Sequence, residues 1–314
     1  MTTFVAEFTT NHMGNLNVLL KMVERAAAAG ASLIKMQKKD VETFYSQEKL
    51  NAPYLSPYGQ TYRDYRSLFE FDDEDYERFD RACKKHGIEW FSTVQDLPSL
   101  DFMLRYDLKL YKVASSNARN RRFLEELAEK IPVDKTIVLS VAGSTLEQIE
   151  DTLEIFHRHR MYVLHCVAQY PCPDPALRLG NIAVLKERFG SERVRIGYSG
   201  HEEGIAPSLA AIDMGAEMVE RHFCLSRHSF VHHIECSLEP HELAELVTLA
   251  HGDRKPGEGC ETLDPRAYES HFGMTKVERS FLVEKTYGTK YVGSESTFQD
   301  PPRPFVVGAP EKAA

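Results

Sequence analysis

The feature that most constrains the fold is a regular alternation of two kinds of segment over the first ~250 residues. Short runs rich in β-branched and other apolar residues alternate with longer runs that have the apolar spacing of an amphipathic helix. The pattern predicts eight strands, each followed by a helix. The predicted strands cover residues 4–9, 32–37, 88–93, 110–114, 136–139, 162–166, 194–197 and 218–222.

Strict alternation of strand and helix implies parallel strands joined by right-handed crossovers. Eight such units within about 250 residues favour a closed (β/α)8, or TIM, barrel of the α/β class. The alternative is an open doubly wound sheet in two domains, but no GxGxxG motif follows the first predicted strand to support it. We therefore predict a single barrel domain over residues 1–250 and a short C-terminal extension over residues 251–314.

The connection after the second strand, residues 38–71, is unusually long and rich in aromatic residues. Connections of this length are commonly functional. We expect it to form a lid or an oligomer contact.

Composition excludes several classes of protein. The net charge of −9 argues against non-specific binding to nucleic acid, which requires a basic face. No apolar stretch is long enough to cross a bilayer, and the first residues lack a basic and an apolar region typical of a leader, so we expect a cytoplasmic protein. The six cysteines are scattered without a CxxC motif, which indicates reduced thiols that pack as small apolar side chains.

Polar side chains that bind or react follow the predicted strands at their carboxyl ends. In TIM barrels these ends meet at the mouth that carries the active site. Each lysine alone is typical of a surface residue or a partner of Glu7, but Lys35 and Lys112 together, with several hydroxyls, favour an anion site for a carboxylate or phosphate. The side chains at the strand ends are Glu7, Lys35, Gln37, Lys112, Ser115, Ser140, Tyr170, Ser199, His201 and His222.

Two histidines suggest a metal. His201 and His222 end adjacent predicted strands, so their rings are expected to lie within reach of one ion. Two imidazoles with further positions left for oxygen ligands suit a divalent Lewis acid, although a single histidine is more often structural.

The ordered motifs resemble those of the sialic acid synthases, which include the legionaminate, pseudaminate and spore-coat enzymes. The resemblance covers residues 4–250. It is carried by Ala6-Glu7, Asn11-His12-Met13-Gly14, Ile34-Lys35-Met36-Gln37, Tyr111-Lys112-Val113-Ala114-Ser115, Leu164-His165-Cys166, Tyr170-Pro171-Cys172-Pro173, Gly197-Tyr198-Ser199-Gly200-His201, Glu220-Arg221-His222-Phe223 and Cys236-Ser237-Leu238-Glu239-Pro240.

The resemblance implies a metal-dependent enzyme that condenses phosphoenolpyruvate with a sugar aldehyde to give a 3-deoxy-2-ulosonic acid and phosphate. It implies that His201 and His222 bind a divalent metal, most often Mn²⁺, with Mg²⁺, Co²⁺ or Zn²⁺ as alternatives. Glu7 is then a candidate for proton transfer, and a homodimer is expected. The residues that the resemblance assigns to phosphoenolpyruvate are Lys35, Lys112, Ser115, Ser140 and Ser199, and those that face the acceptor are Glu7, Gln37 and Tyr170.

Four positions depart from the family pattern. Asn117 and His233 stand where the family usually has acidic residues, so both remain substrate-binding candidates with altered charge. Ala168 replaces a residue that contacts phosphate, and Val141 follows Ser140 in place of threonine.

The family's second, antifreeze-like domain has no counterpart in the extension, so the acceptor sugar is not determined by the resemblance. Two alternatives stay open: a non-catalytic relative that binds a phosphorylated ligand, and a lyase that cleaves a 2-keto-3-deoxy acid.

Overall fold

Eight parallel strands close into a barrel in the computed structural model, which describes residues 2–56, 58–229 and 231–284. Around the barrel the strand order is β1-β10-β9-β8-β7-β6-β5-β2, and a separate two-stranded hairpin is formed by β3 and β4. The closed barrel confirms the predicted (β/α)8 fold, and the open-sheet alternative is wrong. The strands are β1 (Thr3–Glu7), β2 (Leu33–Lys38), β3 (Pro53–Ser56), β4 (Gly59–Thr61), β5 (Glu89–Val94), β6 (Leu110–Val113), β7 (Thr136–Ser140), β8 (Arg160–Cys166), β9 (Val194–Gly200) and β10 (Met218–His222).

Helices cover the outside of the barrel, and each barrel strand is followed by a helix of 7 to 13 residues that packs on it. Their apolar stripes pack against the outward-facing side chains of the strands and form the main hydrophobic core. The helices are α1 (Leu16–Ala28), α2 (Val41–Phe44), α3 (Gln47–Asn51), α4 (Tyr62–Ser67), α5 (Asp73–Lys85), α6 (Leu97–Met103), α7 (Arg121–Lys130), α8 (Leu146–Ile155), α9 (Gly180–Phe189), α10 (Ala206–Asp213), α11 (Pro240–His251) and α12 (Lys276–Arg279).

The inside of the barrel is built in layers, because alternate residues of each strand point inward. A layer of apolar side chains fills the lower part of the interior, below the cavity described in the next section. This layer consists of Val5, Leu33, Phe91, Val138, Leu164 and Met218.

The long connection after β2 is folded rather than irregular. It contains α2, α3, α4 and the β3–β4 hairpin, with a small apolar cluster around Phe44, Tyr45 and Leu50. The ring of Tyr62 meets that of Tyr45 edge to face, with 5.2 Å between ring centroids. The predicted length of this connection was right, but its secondary structure was missed, because short helices show too few periods to be recognised.

The segment after α11 packs back on the barrel. The amide of Leu179 donates to the carbonyl of Ala267 at 2.7 Å. The buried carboxylate of Glu278, in α12, pairs with the Arg178 guanidinium at 2.8 Å. Residues 285–314 of the predicted extension lie outside the described residues.

Two further expectations can be compared with the described residues. All six cysteines are free and buried, as predicted. Within residues 2–56, 58–229 and 231–284, no helix has the length and apolar character needed to span a bilayer.

Candidate active site

A cavity of about 340 Å³ opens at the carboxyl ends of the barrel strands. Every predicted site residue except Asn117 lines it, so residues far apart in sequence converge on one space. The predicted residues in its lining are Glu7, Lys35, Gln37, Lys112, Ser115, Ser140, Tyr170, Ser199, His201, His222 and His233.

The cavity floor is the polar layer directly above the apolar one. Two residues further along their strands than the apolar Val5, Leu33 and Met218 lie the charged residues Glu7, Lys35 and Glu220. The strand register brings Lys112 level with Thr93 and Ser199 level with Glu220. Two residues further along, Gln37, His201 and His222 form the next layer.

Glu220 lies at the centre of this floor and joins both lysines. Its Oε2 accepts from Lys112 Nζ at 3.0 Å, and its Oε1 lies 3.2 Å from Lys35 Nζ and accepts from Ser199 Oγ at 3.1 Å. Burial alone would raise the pKa of Glu220, but the charges of Lys112 and Lys35 outweigh it and lower the pKa to about 2. Glu220 is therefore ionised, and it holds the two ammonium groups in the low-dielectric interior.

Glu7 forms a second ion pair with Lys35. Its Oε1 accepts from Gln37 Nε2 at 2.9 Å and from the amide of Thr9 at 3.1 Å. Burial lowers the pKa of Lys35 to about 8, although Glu220 opposes that shift. The two lysines and two glutamates of the floor thus balance one another in charge.

The rings of the two predicted metal histidines meet edge to face, with 5.3 Å between ring centroids. The Nδ1 of His201 lies 2.8 Å from the carbonyl oxygen of Val167, and the Nδ1 of His222 lies 3.5 Å from Cys236 Sγ. Because these contacts occupy Nδ1, the Nε2 atom of each ring is left to accept a ligand. Burial lowers the pKa of His201 to about 3, and it also lowers the pKa of His222 well below its ordinary value, so both rings are neutral.

A buried ion pair on the outer side of β10 positions the loop that carries His201. Arg221 Nη1 lies 2.8 Å from Glu202 Oε1, and its Nη2 donates to the carbonyl of Glu202. Tyr198 donates to the other carboxylate oxygen at 2.7 Å. The polar residues of these two motifs therefore alternate along their strands. Tyr198 and Arg221 hold the loop from outside, whereas Ser199 and His222 line the cavity.

The predicted serines, Ser115, Ser140 and Ser199, all line the cavity. Ser115 Oγ accepts from the amide of Ala142 at 3.0 Å. The Ser140 hydroxyl makes no hydrogen bond within the described ranges and faces the cavity. Ala168 lines the cavity as well and brings no side-chain donor.

Asn117 does not reach the cavity, contrary to its prediction as a substrate-binding residue. It is fully buried, and its Nδ2 donates to the carbonyl of Gln95 at 3.2 Å. Asn117 lies behind Gln95, which does line the cavity. The prediction failed because the tight turn after β6 carries the chain away from the mouth within two residues of Ser115.

Aromatic side chains surround the mouth of the cavity. The Tyr170 ring lies 4.1 Å from that of His201 and 4.4 Å from that of His233, between centroids. Phe281 packs on Tyr170 at 5.2 Å, and Leu282 joins Ala168 in a small apolar cluster. The C-terminal segment thus closes part of the opening.

Several lining residues were missed from the sequence. Glu220 could have been predicted from the sequence, because it precedes His222 by two residues on one strand and must lie on the same face of it. Lys39 could have been predicted in the same way, since it follows Lys35 and Gln37 at the same two-residue spacing and lines the cavity with them. Nothing in the sequence indicated Phe281 and Leu282, because they come from a distant segment of the chain.

The closed barrel with charged side chains gathered at the carboxyl ends of its strands defines a TIM-barrel enzyme. The NeuB family model matches residues 22–254, so the chain belongs to the NeuB family. The resemblance to sialic acid synthases is confirmed.

Named relatives of two kinds match the chain. The N-acetylneuraminate-9-phosphate synthase of Drosophila melanogaster is 32% identical over 249 residues, which cover 78% of this chain and 66% of that relative. The N,N'-diacetyllegionaminic acid synthase of Campylobacter jejuni is 32% identical over 293 residues, 90% of this chain and 85% of that protein. The chain therefore spans about two thirds of the length of the first relative.

A solved structure agrees with the fold. The N-acetylneuraminic acid synthetase of Leptospira borgpetersenii, in complex with citrate, has 30% sequence identity and a TM-score of 0.69. The match covers 79% of this chain and 82% of that one.

Proposed function

We propose that this enzyme is a metal-dependent synthase that joins phosphoenolpyruvate to a sugar aldehyde, giving a 3-deoxy-2-ulosonic acid and phosphate. The observation that carries the proposal is the floor of the cavity, where Lys35 and Lys112 share the carboxylate of Glu220 beneath the His201–His222 pair. The relatives are named as synthases of N-acetylneuraminate 9-phosphate and of diacetyllegionaminic acid, which supports a product of the nonulosonic class.

Phosphoenolpyruvate fits the floor by charge and hydrogen bonding. Its carboxylate and phosphate are anions, and Lys35 and Lys112 supply two ammonium groups whose charge is already held in place by Glu220. The hydroxyls of Ser115 and Ser140 line the same cavity as further hydrogen-bonding groups, and Ser199, which donates to Glu220, lines it as well.

The reaction forms a carbon–carbon bond and a bond between C2 and the oxygen of water, and it breaks the bond between C2 and the phosphate oxygen. C3 of phosphoenolpyruvate attacks the aldehyde carbon, whose oxygen takes up a proton to become a hydroxyl. Water adds to the electron-poor C2 and gives up a proton, and the adduct loses phosphate from C2 to leave a ketone. Glu7 is the carboxylate closest to Gln37 and Lys35, so its Oε1 and Oε2 atoms are placed to take a proton from the water. Lys35 beside it favours return of the carboxylate to its ionised form.

The two histidines suit a divalent cation by the chemistry of their donors. Both rings are neutral, both Nδ1 atoms have partners elsewhere, and the ring centroids are 5.3 Å apart, so the two Nε2 atoms are available as ligands for one ion. Within the described residues no group of three or more His, Cys, Asp or Glu side chains is placed to hold a metal, so water or substrate oxygen would complete the coordination. A bound Mn²⁺, Mg²⁺, Co²⁺ or Zn²⁺ would polarise the aldehyde oxygen.

Ala168 favours a second candidate function. The phosphate side of the cavity has no side-chain donor at this position, which removes a hydrogen bond that could stabilise the departing phosphate. The second candidate is a relative that binds phosphoenolpyruvate without consuming it.

The decisive experiment measures phosphate release with phosphoenolpyruvate, each of the four metals and aldoses of three to seven carbons. We expect phosphate release that depends on both metal and aldose. Binding of phosphoenolpyruvate without release would favour the second candidate, and cleavage of a 2-ulosonic acid to pyruvate would identify a lyase.

A matched pair of variants tests the floor. Lys112→Ala is expected to raise the KM for phosphoenolpyruvate roughly 10–100-fold, because it removes a charged hydrogen-bond donor. The control, Lys109→Ala, removes an exposed lysine that precedes the same strand and pairs with Glu89. An unchanged KM in Lys112→Ala contradicts the proposed pocket.

Two expectations stay predictions. The resemblance implies assembly as a homodimer, with residues 54–65 as a contact or lid, and the character of the sequence led us to expect a cytoplasmic location.

A further inference from the structure

Lys39 is the outermost member of an inward-facing series that begins deep in the barrel. Lys35 and Gln37 lie on β2, and Lys39 follows just beyond its end, with the same parity. All three line the cavity. At about 3.3 Å per residue, the Cα atom of Lys39 lies roughly 13 Å further toward the mouth than that of Lys35.

The ammonium group of Lys39 differs from the other cavity lysines in having no carboxylate partner. Its Nζ makes no hydrogen bond or ion pair in the part of the chain that the structure describes, and it lies over the Phe44 ring at 4.9 Å from the centroid. The nearby Glu70 is already engaged, because one of its oxygens lies 3.2 Å from both Lys38 Nζ and the Lys39 amide nitrogen.

Charges of both signs lie near Lys39, since Arg66 lowers its pKa whereas Glu70 and Asp96 oppose that shift. Arg66 and Lys39 both lie over the ring of Tyr45. The guanidinium carbon of Arg66 is 5.9 Å from the ring centroid, and Lys39 Nζ is 5.8 Å from it. Burial and the charge of Arg66 lower the pKa of Lys39 to about 7. An anion at this position would compensate both charges and restore the protonated lysine.

The acids in the described lining cannot supply that compensation. They are Glu7 and Glu220, and both are paired with the lysines of the floor. Among the lysines and acids that line the described cavity, the floor is balanced and Lys39 adds one further positive charge.

We propose that Lys39 binds an anionic group, a phosphate ester or a carboxylate, carried by the acceptor sugar at the end remote from its aldehyde. The inference rests on the proposed function and names the class of acceptor: an aldose phosphate or a uronic acid. The anion in question is distinct from phosphoenolpyruvate, which the floor lysines hold. A sugar chain whose aldehyde lies beside Gln37 extends outward to Lys39.

The test compares neutral and anionic acceptors with the full-length enzyme, Mn²⁺ and phosphoenolpyruvate. The pairs are N-acetylmannosamine with its 6-phosphate, and mannose with mannose 6-phosphate and with mannuronic acid. We expect kcat/KM to be about 10–100-fold higher for an anionic member, which is the range of one charge-assisted hydrogen bond. A preference for the phosphate or for the uronic acid distinguishes the two sources of charge.

The variant Lys39→Met is expected to bring the ratio of anionic to neutral acceptor close to one, through KM rather than kcat. Lys49→Met is the matched control, because Lys49 also lies over Tyr45, at 5.3 Å, but does not line the cavity. The control should keep the preference. Equal use of neutral and anionic sugars by the unmodified enzyme, or an equal loss for both in Lys39→Met, overturns the inference.

A binding experiment separates this inference from the proposed function. N-acetylmannosamine 6-phosphate is titrated calorimetrically into the enzyme with phosphoenolpyruvate and Mn²⁺. If no aldose is consumed, the proposed function fails, but tenfold weaker binding of the sugar phosphate in Lys39→Met than in Lys49→Met still supports the anion site. The same affinity in both variants refutes it.

Discussion

The carboxylate of Glu220 accepts a hydrogen bond from Lys112 Nζ at 3.0 Å in the middle of the barrel, where both side chains are almost completely buried. Neither charge is tolerable there alone, because removing one partner of a buried pair leaves the other desolvated and uncompensated. Lys35 depends on the same carboxylate. A substrate anion that binds to these lysines therefore meets groups that are already charged and oriented.

Replacing Glu220 by glutamine should destabilise the folded protein. Glu220→Gln leaves Lys35 and Lys112 close together without their shared counter-charge, and we expect the free energy of unfolding to fall by about 3–5 kcal/mol. Urea unfolding followed by circular dichroism measures the change. The double variant Glu220→Gln/Lys112→Met should recover part of the loss, since it removes one of the unpaired charges.

The control for this experiment is Glu217→Gln. Glu217 directly precedes β10 but its side chain is 44% exposed and 3.8 Å from its partner Arg195, so its removal should change stability by less than about 0.5 kcal/mol. Equal stabilities of Glu220→Gln and Glu217→Gln contradict the role assigned to the floor.

Replacing His222 by alanine should remove metal-dependent activity while the barrel stays folded. The ring lies at the end of a strand and contributes a ligand rather than core packing, so we expect metal affinity to fall at least ~100-fold. Enzyme treated with a chelator is titrated with Mn²⁺ by calorimetry, and turnover is assayed in parallel. His228→Ala, which changes an exposed histidine outside the cavity, should behave as the unmodified enzyme does. Metal-stimulated turnover that survives in His222→Ala excludes this ligand.

Periodicity predicted the barrel because each strand and helix is long enough to show its pattern. It also placed Glu7, Lys35 and His222 at one mouth, since parallel strands end together. The roles of histidines were harder to assign. The ring of His12 accepts from the Gly14 amide and packs on Phe71, and that of His165 stacks on Tyr198, so both are structural despite their position at strand ends.

What the sequence did not predict depends on tertiary contacts. The approach of Phe281 to the mouth requires the C-terminal segment to fold back on β7 and β8, which no local pattern encodes. Gly143 has a φ of +68°, and a Cβ atom there would lie 2.9 Å from Leu282, so the loop after β7 makes room for this segment.

Breaking the Glu278–Arg178 pair should loosen the C-terminal segment. Glu278 is fully buried, and it also caps α12 by accepting from the Thr275 amide at 3.0 Å. We expect Glu278→Ala to lower the local free energy of opening by about 3–5 kcal/mol. Hydrogen exchange of residues 263–284 measures the effect, and the KM for the acceptor should rise because Phe281 and Leu282 leave the mouth.

Glu269→Ala provides a matched control for the segment. Glu269 lies on the same segment and is exposed, so its replacement should leave both hydrogen exchange and KM unchanged. If the two variants exchange at the same rate, the ion pair does not hold the segment in place.

His165 should contribute to a loss of stability in acid. Its Nε2 lies 2.8 Å from the carbonyl oxygen of Leu177, and burial lowers its pKa from 6.5 to about 4. Between these two values the unfolded chain binds the proton and the folded chain does not, so the free energy of unfolding falls as the pH falls from 6.5 to 4.

Replacing His165 by glutamine removes the group that binds a proton in the unfolded chain, and it keeps a hydrogen-bond donor for the Leu177 carbonyl. The slope of unfolding free energy against pH in this window should decrease by up to about 1.4 kcal/mol per pH unit. The measurement is urea unfolding of metal-free protein at half-unit intervals between pH 4 and 7. His157→Gln removes an exposed histidine and should keep the original slope. A slope in His165→Gln equal to that of the control means that the buried ring is protonated in the folded state as readily as in the unfolded chain.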